Sequence, residues 1–316
     1  MFFHNFTTDK LNHLKKILLF LVLTVAFLLC GCGSQKKSFE IPTEKGSRDC
    51  TPVCLVPEAT GETCFSDTSY LIDISNVSQG YLMASYTGSC EKVKFQITGP
   101  DQTTYTYNLT DELNTFPLSS HNGTYTVGIY ENIQGKQYAT LMSESFDVIL
   151  ENEFGAYLYP NQYVNFTENN EAISLGKQLA YSANTDLDVV SNVYNYLICN
   201  VTYDEAKAES VQSGYLPLID ETLQTGTGIC LDYAAVMTSI LRSQRIPTHL
   251  EVGYAGTVYH AWISTYIEDV GWVNGIIQFD GTDWELMDPT FGASTGSKKL
   301  KKFIGDGDNY TVKYIY

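Results

Sequence analysis

Charge is scarce in this 316-residue chain, and positive charge is scarcest. Charged residues make up 17% of it, with 19 Lys and Arg against 36 Asp and Glu. The resulting net charge of -17 and pI of about 4.6 exclude a nucleic-acid partner, whose phosphates such a surface would repel. Histidine is also sparse, with five in the chain, so histidine chemistry has few places to reside. No internal repeat is visible, and the spacing of Cys50, Cys54, Cys64 and Cys90 fits no common zinc pattern. What the chain does have is tyrosine (23 residues) and 44% hydrophobic content, the mix of a globular, β-rich, extracellular protein. Its length suits two ordinary domains and a tail.

The amino terminus carries an export pattern. Lys10, Lys15 and Lys16 precede an unbroken apolar run from Ile17 to Leu29. That run is short for a spanning helix, which needs about 20 residues, and suits a signal-peptide core. It ends in "LCGC", which resembles the bacterial lipoprotein box, with Cys32 as the residue to be lipidated. The expectation is a signal peptide over 1–31 and a lipid anchor at the outer face of the cytoplasmic membrane. An uncleaved anchor would leave the protein on the same side. Residues 32–64 are polar and aperiodic, and read as a flexible tether. In an exported chain Cys50, Cys54, Cys64 and Cys90 would suit two disulfides, in any of three connectivities.

From 65 to 150 the hydrophobic period is two. Val93, Phe95 and Ile97 alternate with polar neighbours, as do Tyr105, Tyr107 and Leu109, then Tyr125, Val127 and Ile129, then Phe146, Val148 and Leu150. Turn signals separate these runs, which predicts an antiparallel, immunoglobulin-like β-sandwich. No catalytic constellation lies in it, and its partner is open.

After a linker over 151–171 the period lengthens. Val190, Val193, Tyr194, Leu197 and Ile198 lie on one helical face, with Asp186 or Asp188 available as cap, and Cys199 closes that helix as a buried spectator. A second helical face, Tyr233, Val236, Met237, Ile240 and Leu241, begins just after Cys230, which follows Gly226 and Gly228. A thiol at a helix start meets the positive end of the dipole and unpaired N–H groups, which favours the thiolate. A core cysteine is the competing reading. Beyond Pro247 the pattern turns to strands, so this half is α+β.

A nucleophilic cysteine needs a base, and the base an orienting group. His4 and His13 lie in the export signal and His121 beside the Asn122-Gly123 turn, leaving His249 and His260. His260, in "YHAWI", shares a strand face with Trp262 and Val258. Asp288, in "ELMDPTF", supplies an acid at the end of another strand.

Together "GICLDYAAVMTSILRSQRIPTHLEVGY", "HAW" and the "W-x-x-M-D-P-T" block resemble the core of the bacterial transglutaminase-like superfamily, over roughly 172–316. The resemblance implies a papain-like fold with Cys230 as nucleophile, His260 as base and Asp288 as orienter. Trp262 packs beside His260 and limits water. Tyr203 is an oxyanion-donor candidate by the same analogy, and equally plausible as core. The family's usual arginine after "IP" is His249 here, read as a strand surface residue. The segment from Glu268 to Asp283 reads as an added hairpin near the site. The chemistry implied is attack on a protein or peptide amide through a Cys230 thioester, with no metal or organic cofactor. An amine would complete transfer and water would complete hydrolysis. A cysteine peptidase or amidase hydrolysing peptide bonds, with cell-wall peptides as one candidate substrate, and a non-enzymatic surface-binding lipoprotein are the alternatives.

Overall fold

The alternating segments become strands with their apolar residues inward. The computed structural model describes residues 39–268, 270–274, 276–279, 284–287 and 310–316. Its first half contains β1 (Cys64–Ser66), β2 (Tyr70–Asp73), β3 (Tyr81–Tyr86), β4 (Val93–Thr98), β5 (Thr104–Leu109), β6 (Asn114–Pro117), β7 (Gly123–Gln134) and β8 (Gln137–Val148). They pair antiparallel into two sheets, ordered β1-β2-β3-β6 and β5-β4-β7-β8. The sheets meet through aromatic contacts: Phe116 of β6 packs edge-on against Phe95 of β4 at 5.0 Å and Tyr107 of β5 at 4.7 Å. Strand β3 escaped the alternation rule because all six of its residues are buried, so its sequence shows no polar face.

The second half begins with α1 (Glu171–Leu179), α2 (Asp186–Asn200), α3 (Glu205–Ser210), α4 (Ile219–Thr225) and α5 (Cys230–Ser243). Helix α2 is capped by Thr185 rather than by either aspartate expected for it. The Thr185 hydroxyl accepts from the Asp188 N–H, and the Asp188 carboxylate accepts from the Thr185 N–H in return. Helix α5 is buried all round from Asp232 to Ser243, wedged between the other helices and a sheet. Gly176 of α1 lets it approach: a Cβ there would stand 2.8 Å from the Ile240 side chain.

The short strands β9 (Thr202–Tyr203) and β10 (Thr227–Gly228) pair parallel. The main sheet is antiparallel, ordered β13-β12-β11-β16, from β11 (Thr248–Ala255), β12 (Val258–Ile267), β13 (Gly271–Asn274) and β16 (Tyr310–Ile315). Between them β14 (Ile276–Phe279) pairs with β15 (Trp284–Met287). The segment expected as one added hairpin is therefore divided. Its first strand extends the main sheet, and its second makes a separate ribbon.

One hydrophobic core runs through both halves. Tyr105 of β5 packs on Tyr314 and Tyr316 at 5.5 and 5.7 Å, and Tyr163, from the linker, packs on Tyr316 at 4.3 Å. The stretch expected as a free tether is, from residue 39 onward, a strap on the helical half. Its N–H groups at Gly46, Arg48 and Val53 donate to carbonyls of Tyr181, Ala183 and Ser243. Arg48 pairs with Asp186 at 2.6 Å, and Arg245 donates to the Asp49 carbonyl. Polar side chains that looked like solvated spacer are in fact pegs. The four cysteines expected to bridge are free thiols. Cys50 and Cys54 share the strap, Cys64 lies on β1, and Cys90 lies between β3 and β4. Cys199 is half-buried.

Candidate active site

Helix α4 ends on Gly226, whose φ of 63° is left-handed and favours a residue without a Cβ. The chain then forms β10, held to β9 by the Thr202 N–H to the Gly226 carbonyl (2.8 Å) and the Asp204 N–H to the Gly228 carbonyl (3.0 Å). Gly228 has a different reason to be glycine: a Cβ there would stand 2.9 Å from the Cβ of Asp232. Ile229 is extended, and α5 starts at Cys230, where the sequence pattern put it.

The first turn of α5 holds a residue that the sequence reading passed over. Asp232 is 0% exposed, and its carboxylate accepts three hydrogen bonds. They come from the Ile229 N–H at 2.8 Å, the Lys207 ammonium at 2.8 Å and the Tyr215 hydroxyl at 2.6 Å. Lys207 also donates to the Tyr215 oxygen at 2.7 Å. Burial and the hydrogen bond to Asp232 push the Tyr215 phenol up to about 12. Burial pulls the Lys207 ammonium down, but its bonds to Asp232 and Tyr215 outweigh that and hold it above its ordinary value. Both stay protonated at neutral pH. An acid three positions after the residue preceding a helix was a readable local signal for Asp232. Nothing local marked Lys207 or Tyr215, whose partner lies 25 and 17 residues further on.

Cys230 and His260 line one cavity of about 490 Å³. Strand β12 supplies Tyr259, His260 and Ala261 to it, three successive residues. Neighbours on a strand face opposite sides, so the cavity is not confined to one face of β12. Tyr203 also lines it, beside Tyr163, Tyr215, Tyr259 and Tyr316. Burial raises the Tyr259 phenol, with the neighbouring tyrosines adding to the shift. Among the described lining residues there is no Asp, Glu, Lys or Arg, although the chain carries a net charge of -17.

Trp262 is buried on the same strand as His260, their rings 6.2 Å apart and inclined by 22°. Tyr310 of β16 packs against both, at 4.9 Å from Trp262 and 6.5 Å from His260. Asp288 and Cys32 lie outside the described residues. His249 is not a strand surface residue. Its ring stacks on Trp272 at 3.6 Å and meets Tyr157 edge-on at 4.0 Å, while Nδ1 stands 3.3 Å from Glu251. Burial holds its imidazole below the ordinary value, against the pull of Glu251.

Residues 173–275 match the model of the Transglutaminase-like superfamily. The match spans about a third of the chain, includes Cys230 and His260, and stops short of Asp288. No curated protein matches the chain. Among solved structures, similarity is found to a proposed cysteine protease from Cytophaga hutchinsonii, at 16% identity and a TM-score of 0.33. It covers 72% of this chain and 68% of that one. A transglutaminase structure is similar at 16% identity and a TM-score of 0.30, over 58% of this chain and 50% of that one. Red sea bream transglutaminase is similar at 14% identity and a TM-score of 0.25, over 66% and 48%. Scores this low locate no residue in this chain. The α+β domain is transglutaminase-like by the match over 173–275.

Proposed function

We propose that the protein is a transglutaminase-like cysteine enzyme that opens protein or peptide amides through a thioester on Cys230. The observation that carries this reading is the shared cavity. The cysteine at the start of α5 and the histidine of β12 line the same space, inside the segment that matches the superfamily. In this reading the Cys230 thiolate attacks the amide carbonyl and a tetrahedral oxyanion forms. His260 gives its proton to the leaving amine, and the thioester remains. Asp288 orients the imidazole, and Trp262 shields it from water. The N–H of Cys230 itself, at a helix start, supports a role in binding the oxyanion. No step needs a cofactor.

Water opening the thioester makes the enzyme an amidase or peptidase, and an amine opening it makes the enzyme an acyltransferase. Lipidation at Cys32 would place this activity at the outer face of the bacterial membrane. No helix among the described residues is long and apolar enough to cross one.

The test compares wild type with Cys230→Ala. Wild type is expected to release ammonia from glutaminyl peptides or to cleave peptide bonds, and to alkylate at Cys230 with iodoacetamide at mildly acidic pH. The alanine variant should lose the catalytic signal by a factor of about 10³ or more. Incorporation of a fluorescent primary amine into casein would move the assignment to transfer. If Cys230 alkylates like an ordinary thiol and no amide turns over, the proposal fails.

A further inference from the structure

One wall of the cavity is made by residues 208 and 211–215, and little hydrophobic burial holds it in place. Helix α3 buries none of its residues, and Val211 is 37% exposed. What fixes this wall is polar and sits at its two ends. Lys207 on α3 and Tyr215 at the far end both donate to the one buried carboxylate in the first turn of α5. The Lys207 ammonium also lies 4.6 Å over the Tyr215 ring, which ties the two ends to each other.

The back of the same wall rests on the sandwich. Gly214 has a φ of +89°, and a Cβ there would stand 2.4 Å from the amide nitrogen of Asn108 on β5. Asn108 is itself held, since its side-chain oxygen accepts from Lys94 at 2.6 Å and its carbonyl from Gln162 at 3.0 Å.

We propose that Lys207, Tyr215 and Asp232 are positioning residues that latch the 208–215 wall to the helix carrying Cys230, with Asn108 of the sandwich as buttress, and that this latch sets the size of group admitted to the thiol. The proposal rests on the reading of Cys230 as nucleophile and deepens it. It also gives the sandwich a task at the cleft. The chemistry suits selection of an uncharged, slender amide side chain, because the latch consumes its own charges internally and presents the cavity with phenols and small residues. None of the three residues needs to touch the reacting atoms.

The test uses the full chain and reads Cys230 by the mass of the peptide that contains it. Alkylation rates are measured with iodoacetamide, a slender reagent, and with fluorescein maleimide, a bulky one. Lys207→Met and Tyr215→Phe are each expected to raise the bulky-to-slender rate ratio about tenfold, the scale of one hydrogen bond to a charged group. Lys207→Arg should return the ratio to within about twofold of wild type, since the cation is restored. On an amide substrate the two disruptive variants should raise KM several-fold and leave kcat within about twofold. Where Lys207→Met fails to fold, Tyr215→Phe decides. An unchanged rate ratio in folded variants overturns the latch, whether or not amides turn over. A changed ratio in a protein that turns over no amide supports the latch and defeats the enzymatic reading instead.

Discussion

The two ends of α5 each bury one charge, and they treat it differently. At the start, Asp232 is met by a backbone N–H and by two side chains from the cavity wall. At the end, Arg242 is 1% exposed, and among the described residues no Asp or Glu side chain pairs with it. Its guanidinium donates to the carbonyls of Thr248 (3.0 and 2.8 Å), Tyr159 (2.7 Å) and Tyr316 (2.7 Å). Burial pulls it down to about 9, which still leaves it cationic at neutral pH. A charge satisfied by main-chain carbonyls from three segments of the core is fixed with the fold. One satisfied by side chains of a lightly buried wall can change while the fold stands. The same helix thus has a structural end and an adjustable end, and Cys230 sits on the adjustable one.

The largest expected effect would break that contrast at its rigid end. Arg242→Met removes four buried hydrogen bonds to main-chain oxygens and should cost about 3–5 kcal/mol, read as a lower urea midpoint. Asp232→Ala should cost less, about 2 kcal/mol by the same measurement, because Lys207 is 30% exposed and can recover water. If Asp232→Ala costs as much as Arg242→Met, the distinction between the two ends is lost. Arg48→Ala, which frees the strap beside the rigid end, should cost about 1 kcal/mol and raise proteolytic nicking within 39–63. The smallest effect is titrational. The His249 pKa is lower in the folded than in the unfolded state, so the unfolded state binds the proton first as pH falls. Stability contributed by neutral His249 is present above about 6.5 and is lost as pH drops through that value toward the folded pKa. Thermal melts of wild type should show this loss as pH falls below about 6.5, and His249→Phe should remove that part of the slope.

How much of this was legible in the sequence depended on whether the signal was local. Period-two alternation gave β4, β5 and β7, and period 3.6 gave α2 and α5, because each of those elements buries a defined face. The start of α5 at Cys230 was readable from the glycines before it and the apolar face after it. Thr185 was overlooked as a cap because the aspartates beside it looked equally good. The strap was missed because its hold is made by Arg48, Arg245 and backbone N–H groups, which in sequence resemble a solvated spacer. The Lys207–Tyr215–Asp232 cluster was missed for a related reason. Its members are far apart in sequence, and a lysine on a short polar helix reads as surface. His249 was misplaced because the aromatic residues that cover it come from the linker, at Tyr157, and from β13, at Trp272.

The order of synthesis gives the tyrosine seam a further meaning. Tyr105 and Tyr107 are made early, but the residues they pack against on β16 are made some two hundred positions later. The same late segment closes the edge of β11 and supplies the carbonyl that anchors Arg242. Until residues 310–316 have left the ribosome, the seam is open and the sheet beneath Cys230 lacks its outer strand. Cys230 therefore gains its completed surroundings only after that segment has been made.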